Sequence, residues 1–198
     1  YQQYTDPDVI TMENVTLLSG SKTSGSGLAN GGFNSGINDI IVKNCIIQEN
    51  VTVGYDKDQS DIGSFVGTLN GRIENSVSYA TVYGVRNVGG LAGKKGKSMG
   101  DCEIVNSAFL GTIEATGGNV GGILASGYIS DSAPNTPPVT VRNCYVAADI
   151  IGNSTPLYFS NGYGAGGGIG GIAGSEIGLR GALNDAHISD NYFYGTIT

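Results

Sequence analysis

A ten-residue pattern recurs six times along this chain, and it restricts the fold more than any other feature. It reads apolar–x–Asn–small–x–apolar–x–small–x–apolar. The clearest copies run from Ile73-Glu74-Asn75-Ser76 to Val82 and from Ile104-Val105-Asn106-Ser107 to Ile113. Three more run from Val42-Lys43-Asn44-Cys45 to Val51, from Val141-Arg142-Asn143-Cys144 to Ile150, and from Ile188-Ser189-Asp190-Asn191 to Ile197. A degenerate first copy starts at Met12, with Asn14 in the Asn place. The Asn-equivalent positions 14, 44, 75, 106, 143 and 190 lie 30, 31, 31, 37 and 47 residues apart. Self-similarity at such a period marks a stacked, quasi-one-dimensional protein in which each repeat packs on its neighbours.

Each repeat divides into three strand-like runs. The first is Gly-rich: Val88-Gly89-Gly90-Leu91-Ala92-Gly93, Val120-Gly121-Gly122-Ile123-Leu124-Ala125, Ile169-Gly170-Gly171-Ile172-Ala173-Gly174, and weaker forms at 62–67 and 25–30. The second enters the Asn and the third leaves it. After the Asn, the sets Ser76-Ser78-Ala80-Val82, Ser107-Phe109-Gly111-Ile113 and Cys144-Val146-Ala148-Ile150 are small or apolar with period two, as an inward strand face requires. Glu49 breaks the rule in its own repeat. Before the Asn, the apolar residue has the opposite parity. A corner at the Asn explains the switch, because Asn tolerates left-handed backbone angles. No run shows a 3.6-residue period, and Gly pairs would cost a helix about 1 kcal/mol per Gly. The reading is all-β: a parallel β-helix of about six coils with three short strands per coil, roughly 29 Å long at sheet spacing.

Composition narrows the function. The net charge of −7 argues against nucleic acid and against anionic membrane surfaces, both of which want a basic patch. Charged residues are 14% and apolar residues 39%, so the chain can bury a core and is no disordered acidic tail. Gly is high at 34 residues, but with 5 Pro and no Gly-every-third period a collagen helix is excluded. No apolar run reaches 18 residues, so no membrane insertion by a helix is expected. Neither an initiator Met nor a signal peptide precedes Tyr1, and the chain stops just after the last repeat without a polar capping unit. The expectation is one domain, 1–198, excised from a larger protein. Of the three cysteines, Cys45 and Cys144 share the repeat position held elsewhere by Ser76, Ser107 and Asn191. They read as small inward side chains, three repeats and about 14 Å apart, too far for a disulfide.

The Gly-rich run at 88–93, followed by Ile104-x-Asn106-Ser107 and Gly111-Thr112-Ile113, resembles the GLUG repeat. Residues 62–198 look like four such units, with insertions at 128–138 and 153–168, and 12–61 look like two degraded ones. GLUG repeats occur in large secreted or wall-attached bacterial proteins, adhesin-like proteins and relatives of immunoglobulin A1 proteases among them, where the repeats are not the catalytic part. The resemblance implies a right-handed coil and an extracellular or cell-wall setting in a bacterium. It carries no catalytic residue onto this chain.

Candidate chemistry is sparse. His187 is the one histidine, which rules out a His-Glu-x-x-His zinc motif and leaves it as the sole base for a Ser-His-Asp triad; its place beside Ile188 reads as a solvated turn. Paired carboxylates of the glycosidase type would have to come from Asp131, Asp149, Asp185 or Asp190. Asp56-Lys57-Asp58-Gln59-Ser60-Asp61 opens like an oxygen-ligand calcium loop, making Asp56, Asp58, Ser60 and Asp61 the metal candidates; the Gly and the closing Glu of an EF-hand are absent. No other cofactor is expected. Tyr192 and Tyr194 take the outward parity of the last strand, with Phe193 inward, and Tyr158 and Tyr163 lie in the Gly-rich insertion. Such an aromatic cluster suits a sugar ring or a protein surface. The expected function is therefore a non-catalytic module presenting loops for adhesion to a host or cell-surface glycan or protein, flanked by other domains of its parent chain. Alternatives are a fragment of a secreted carbohydrate-active enzyme or peptidase, and a structural spacer.

Overall fold

The computed structural model describes residues 9–28, 40–56, 58–96, 102–127, 138–152, 157–158, 164–165, 168–175 and 187–198. Among them every regular element is a strand and none is a helix. The runs entering the Asn stack as one six-stranded parallel sheet: Ile10–Glu13, Ile40–Lys43, Gly71–Glu74, Cys102–Val105, Val139–Arg142 and His187–Ser189. Like lies over like. Met12, Val42, Ile73, Ile104, Val141 and Ile188 are successive register partners. Val42, Ile73, Ile104 and Val141 have no exposed surface. Burying each such side chain stabilises the stack by about 1.5–3 kcal/mol.

The corner falls where the sequence puts it. Asn14, Asn44, Asn75, Asn106, Asn143 and Asp190 all have positive φ, between 50° and 58°. Other L-residues pay about 1–2 kcal/mol for that conformation, whereas Asn and Asp visit it readily. The N–H groups of Asn14, Asn44, Asn75, Asn106 and Asn143 donate across to the carbonyls of Lys43, Glu74, Val105, Arg142 and Ser189, so the bends stack as the strands do.

The runs leaving the Asn form a second parallel sheet, and it corrects two expectations. In the third repeat the run is broken into Val77–Ser78 and Thr81–Gly84; only in the fifth and sixth is it continuous, as Tyr145–Ile151 and the strand Tyr192–Ile197 paired along it. In the second repeat Ile47 pairs with Ser78, yet Val53, not Val51, pairs with Val82. Two extra residues are taken up in a turn at Glu49-Asn50, where Asn50 has φ 60°. Glu49 is therefore exposed and never inward. The first repeat turns likewise at Gly20, φ 85°.

The Gly-rich run is also two strands rather than one. Ser60–Gly63, Arg86–Gly89, Val120–Gly121 and Ile169–Gly170 form one four-stranded parallel sheet; Val66–Leu69, Ala92–Lys95, Leu124–Ser126 and Ala173–Ser175 form another. Where the sequence divides a repeat into three runs, five strand segments lie between Gly71 and Lys95. The bend between them needs its second glycine. A methyl built on Gly90 would stand 2.5 Å from Cγ of Phe109 and closer still to the carbonyl oxygen of Gly122. One on Gly171 would stand 2.5 Å from Cγ of Phe193. The glycines leave the space that an inward Phe fills. Leu91, Ile123, Phe65, Ile47, Phe109, Val82 and Ile113 complete a core lined from the four parallel sheets.

Candidate functional site

Outward parity on the leaving strands places the aromatic cluster. Along Tyr145–Ile151, residues 146, 148 and 150 are buried, so 145, 147 and 149 face out. Tyr192 pairs with Tyr145, and Tyr194 with Ala147. The Tyr145 and Tyr192 rings stack with centroids 5.6 Å apart and planes 7° from parallel. Tyr192 is 60% and Tyr194 68% exposed, while Phe193 between them packs on the core. The face continues into Asp149 and Thr196, whose hydroxyl donates to Asp149 Oδ1 at 2.6 Å. Tyr145 is not among the candidates the sequence offers, and Asp149 is there only as a possible acid of a carboxylate pair. They follow from the same period-two parity, applied one repeat earlier. A flat aromatic surface beside a carboxylate–hydroxyl pair offers stacking and directional hydrogen bonds together. Tyr158 lies in the short strand Leu157–Tyr158, antiparallel to Gly164–Ala165; Tyr163 lies outside the described residues.

The acidic run spreads out. Asp56 and Asp58 are exposed, and Gln59 Nε2 donates to Asp58 Oδ1 at 3.0 Å. Ser60 begins the strand Ser60–Gly63. Asp61 turns away from them to Asn87 Nδ2 and Lys94 Nζ. Among the described residues no group of three or more His, Cys, Asp or Glu is placed to hold a metal ion. His187 is exposed at the start of its strand, Asp149 is exposed, and Asp190 is a corner; Asp131 and Asp185 lie outside the described residues.

Two buried polar columns escaped the sequence reading. The first occupies the Cys/Ser position after the Asn, which is more than a small residue. The N–H of Cys45 donates to Ser76 Oγ at 3.0 Å, that of Ser76 to Ser107 Oγ at 3.2 Å, and that of Cys144 to Asn191 Oδ1 at 2.9 Å. The backbone of Ser107 makes the matching bond to the Cys144 thiol. Each side chain also reaches the carbonyl two residues back: Ser76 to Glu74, Ser107 to Val105, and Cys144 to Arg142. A buried N–H must find an acceptor, and the side chain of the following repeat supplies it. Burial pushes the Cys144 thiol pKa up, against the lowering effect of the bonds to Ser107 and Arg142.

The second column is Asp61, Asn87 and Asn119, all with positive φ (61°, 53° and 64°). Asn87 Nδ2 donates to Asp61 Oδ1 at 2.5 Å, and Asn119 Nδ2 donates to Asn87 Oδ1 at 2.9 Å. The signal was present: Asp61-Ile62-Gly63, Asn87-Val88-Gly89 and Asn119-Val120-Gly121 repeat an Asp/Asn just ahead of each Gly-rich run.

The sequence matches no protein-family model, no curated protein and no solved structure.

Proposed function

We propose that this chain is a non-catalytic module of a large bacterial surface or secreted protein, a right-handed parallel β-helix of about six coils that presents its outward aromatic face for adhesion. The observation that carries the reading is the Tyr145–Tyr192 stack with Tyr194 beside it, held on paired strands so that the rings bind without losing further side-chain freedom. The GLUG-like runs support the setting. The partner class is a glycan or protein of a host or neighbouring cell, met by ring stacking and by the Asp149–Thr196 pair. The stack of parallel strands is the stiff part that carries this face.

Binding to a glycan array and to a panel of matrix proteins tests this. Tyr192→Ala and Tyr194→Ala are each expected to weaken the interaction about tenfold or more, as central aromatic contacts do. Wild-type protein that binds no glycan and no matrix protein would leave the spacer reading standing instead.

A further inference from the structure

The strands Arg86–Gly89 and Ala92–Lys95 are the two arms of one bend, and each brings a reactive nitrogen-bearing group to the same carboxylate. Lys94 Nζ lies 2.5 Å from Asp61 Oδ2. Asn87 Nδ2 lies 2.5 Å from Asp61 Oδ1. The amide of Asn87 is held in one orientation from both ends, because Asn119 Nδ2 donates to its Oδ1 at 2.9 Å. Little water reaches the group: the side chains of Asp61 and Lys94 are 12% and 25% exposed, and Asn87 and Asn119 are 9% and 5% exposed. Amine, carboxamide, bridging carboxylate and a donor on the amide oxygen are the four parts needed to exchange one amide for another.

We propose that Lys94 and Asn87 form an intramolecular isopeptide bond, with Asp61 as the catalytic residue and Asn119 holding the oxygen of the reacting amide. A proton passes from Lys94 Nζ to Asp61 Oδ2 along their hydrogen bond. The neutral Nζ attacks Cγ of Asn87, and the negative charge that develops on Oδ1 is met by Asn119 Nδ2–H. Asp61 delivers its proton to Nδ2, the Cγ–Nδ2 bond breaks, and ammonia leaves carrying the second proton from Nζ as ammonium. One Nζ–Cγ bond replaces one Cγ–Nδ2 bond, charge is conserved, and no oxidant or cofactor enters. The fold supplies what free lysine and asparagine lack. Two strand arms and the strand Ser60–Gly63 beneath them hold the groups together, and such positioning is equivalent to effective concentrations on the order of 10⁵ M or more. The product is a covalent brace across the bend at Gly90-Leu91.

Intact-mass spectrometry of the purified full chain tests the proposal. The expected mass is that of the sequence less one ammonia. Trypsin should then fail to cut after Lys94 and release residues 87–95 as one internally closed peptide. Lys94→Arg, Asn87→Ala and Asp61→Asn should each restore the full mass expected of their own sequences. A wild-type chain at full sequence mass overturns the proposal. So does an ammonia loss that survives in Lys94→Arg, which marks an asparagine succinimide, or one that survives in Asp61→Asn.

Discussion

Ser76→Ala isolates one bond of the buried column after the Asn corners. Ser76 and Cys45 are both fully buried, and Ser76 Oγ is the acceptor for the Cys45 N–H at 3.0 Å. The Glu74 carbonyl loses the Ser76 hydroxyl but keeps the N–H of Asn44 at 3.2 Å, and the Ser76 N–H keeps Ser107 Oγ at 3.2 Å. One group alone is orphaned, the Cys45 amide. Leaving a buried donor unmet costs about 1–3 kcal/mol. The loss of a hydroxyl opens no cavity of consequence, so nothing else adds to it. The amide of Cys45 should then exchange with solvent deuterium roughly 5–150 times faster than in wild type, while the ladder amides of Ile104 and Val141 change far less. Ser76→Cys is the discriminating control. The Cys144 thiol already accepts the backbone N–H of Ser107, so a thiol at 76 should restore most of the protection. Exchange at Cys45 within about twofold of wild type in Ser76→Ala, or a Ser76→Cys variant no better than alanine, would show that this position selects for size alone.

Further expectations follow from the corners and the core. Asn106→Ala must hold φ near 50° without an Asx side chain and also loses the bond from Asn143 Nδ2, so urea unfolding should show about 1–2 kcal/mol of destabilisation, with Asn106→Gly milder. Gly90→Ala meets both the Phe109 ring and the Gly122 carbonyl, and should cost about 1–3 kcal/mol or more; Gly171→Ala meets the half-buried Phe193, which can swing aside, and should cost less in the same assay. The Cys144 thiol has a raised pKa in the folded chain, so its stabilising contribution is complete below the ordinary thiol value of 9.0 and is lost as pH rises through the folded value. The unfolding free energy of wild type should thus fall with alkaline pH more steeply than that of Cys144→Ser.

The stacked, parallel all-β architecture was readable because one residue type does one job at each turn of the repeat. Asn75 and Asn106 mark corners, Ile73 and Ile104 mark the core face, and a period of two separates Phe193 from Tyr192 and Tyr194. Reading failed where the chain length between corners changes. The pair Glu49-Asn50 adds a turn that spacing alone cannot tell from strand, so Glu49 was set on the inner face. It failed again where a side chain's partner lies a whole repeat away. Cys45 and Ser76 look merely small until the N–H that one offers and the oxygen that the other supplies are seen together. Asp61 drew notice as a member of a local acidic run, but its bonds go to Asn87 and Lys94, 26 and 33 residues further on. The outward tyrosines were found by parity, while the stacking of Tyr145 on Tyr192 depends on register between repeats 47 residues apart.

The column from Cys45 to Asn191 has a direction. Each buried amide is satisfied by an atom that comes later in the chain, so no repeat is finished until its successor has been laid down. A chain emerging amino end first from a ribosome or a membrane pore would always carry one open amide at its growing tip. Closure would advance step by step with synthesis or export, each new repeat sealing the one before it.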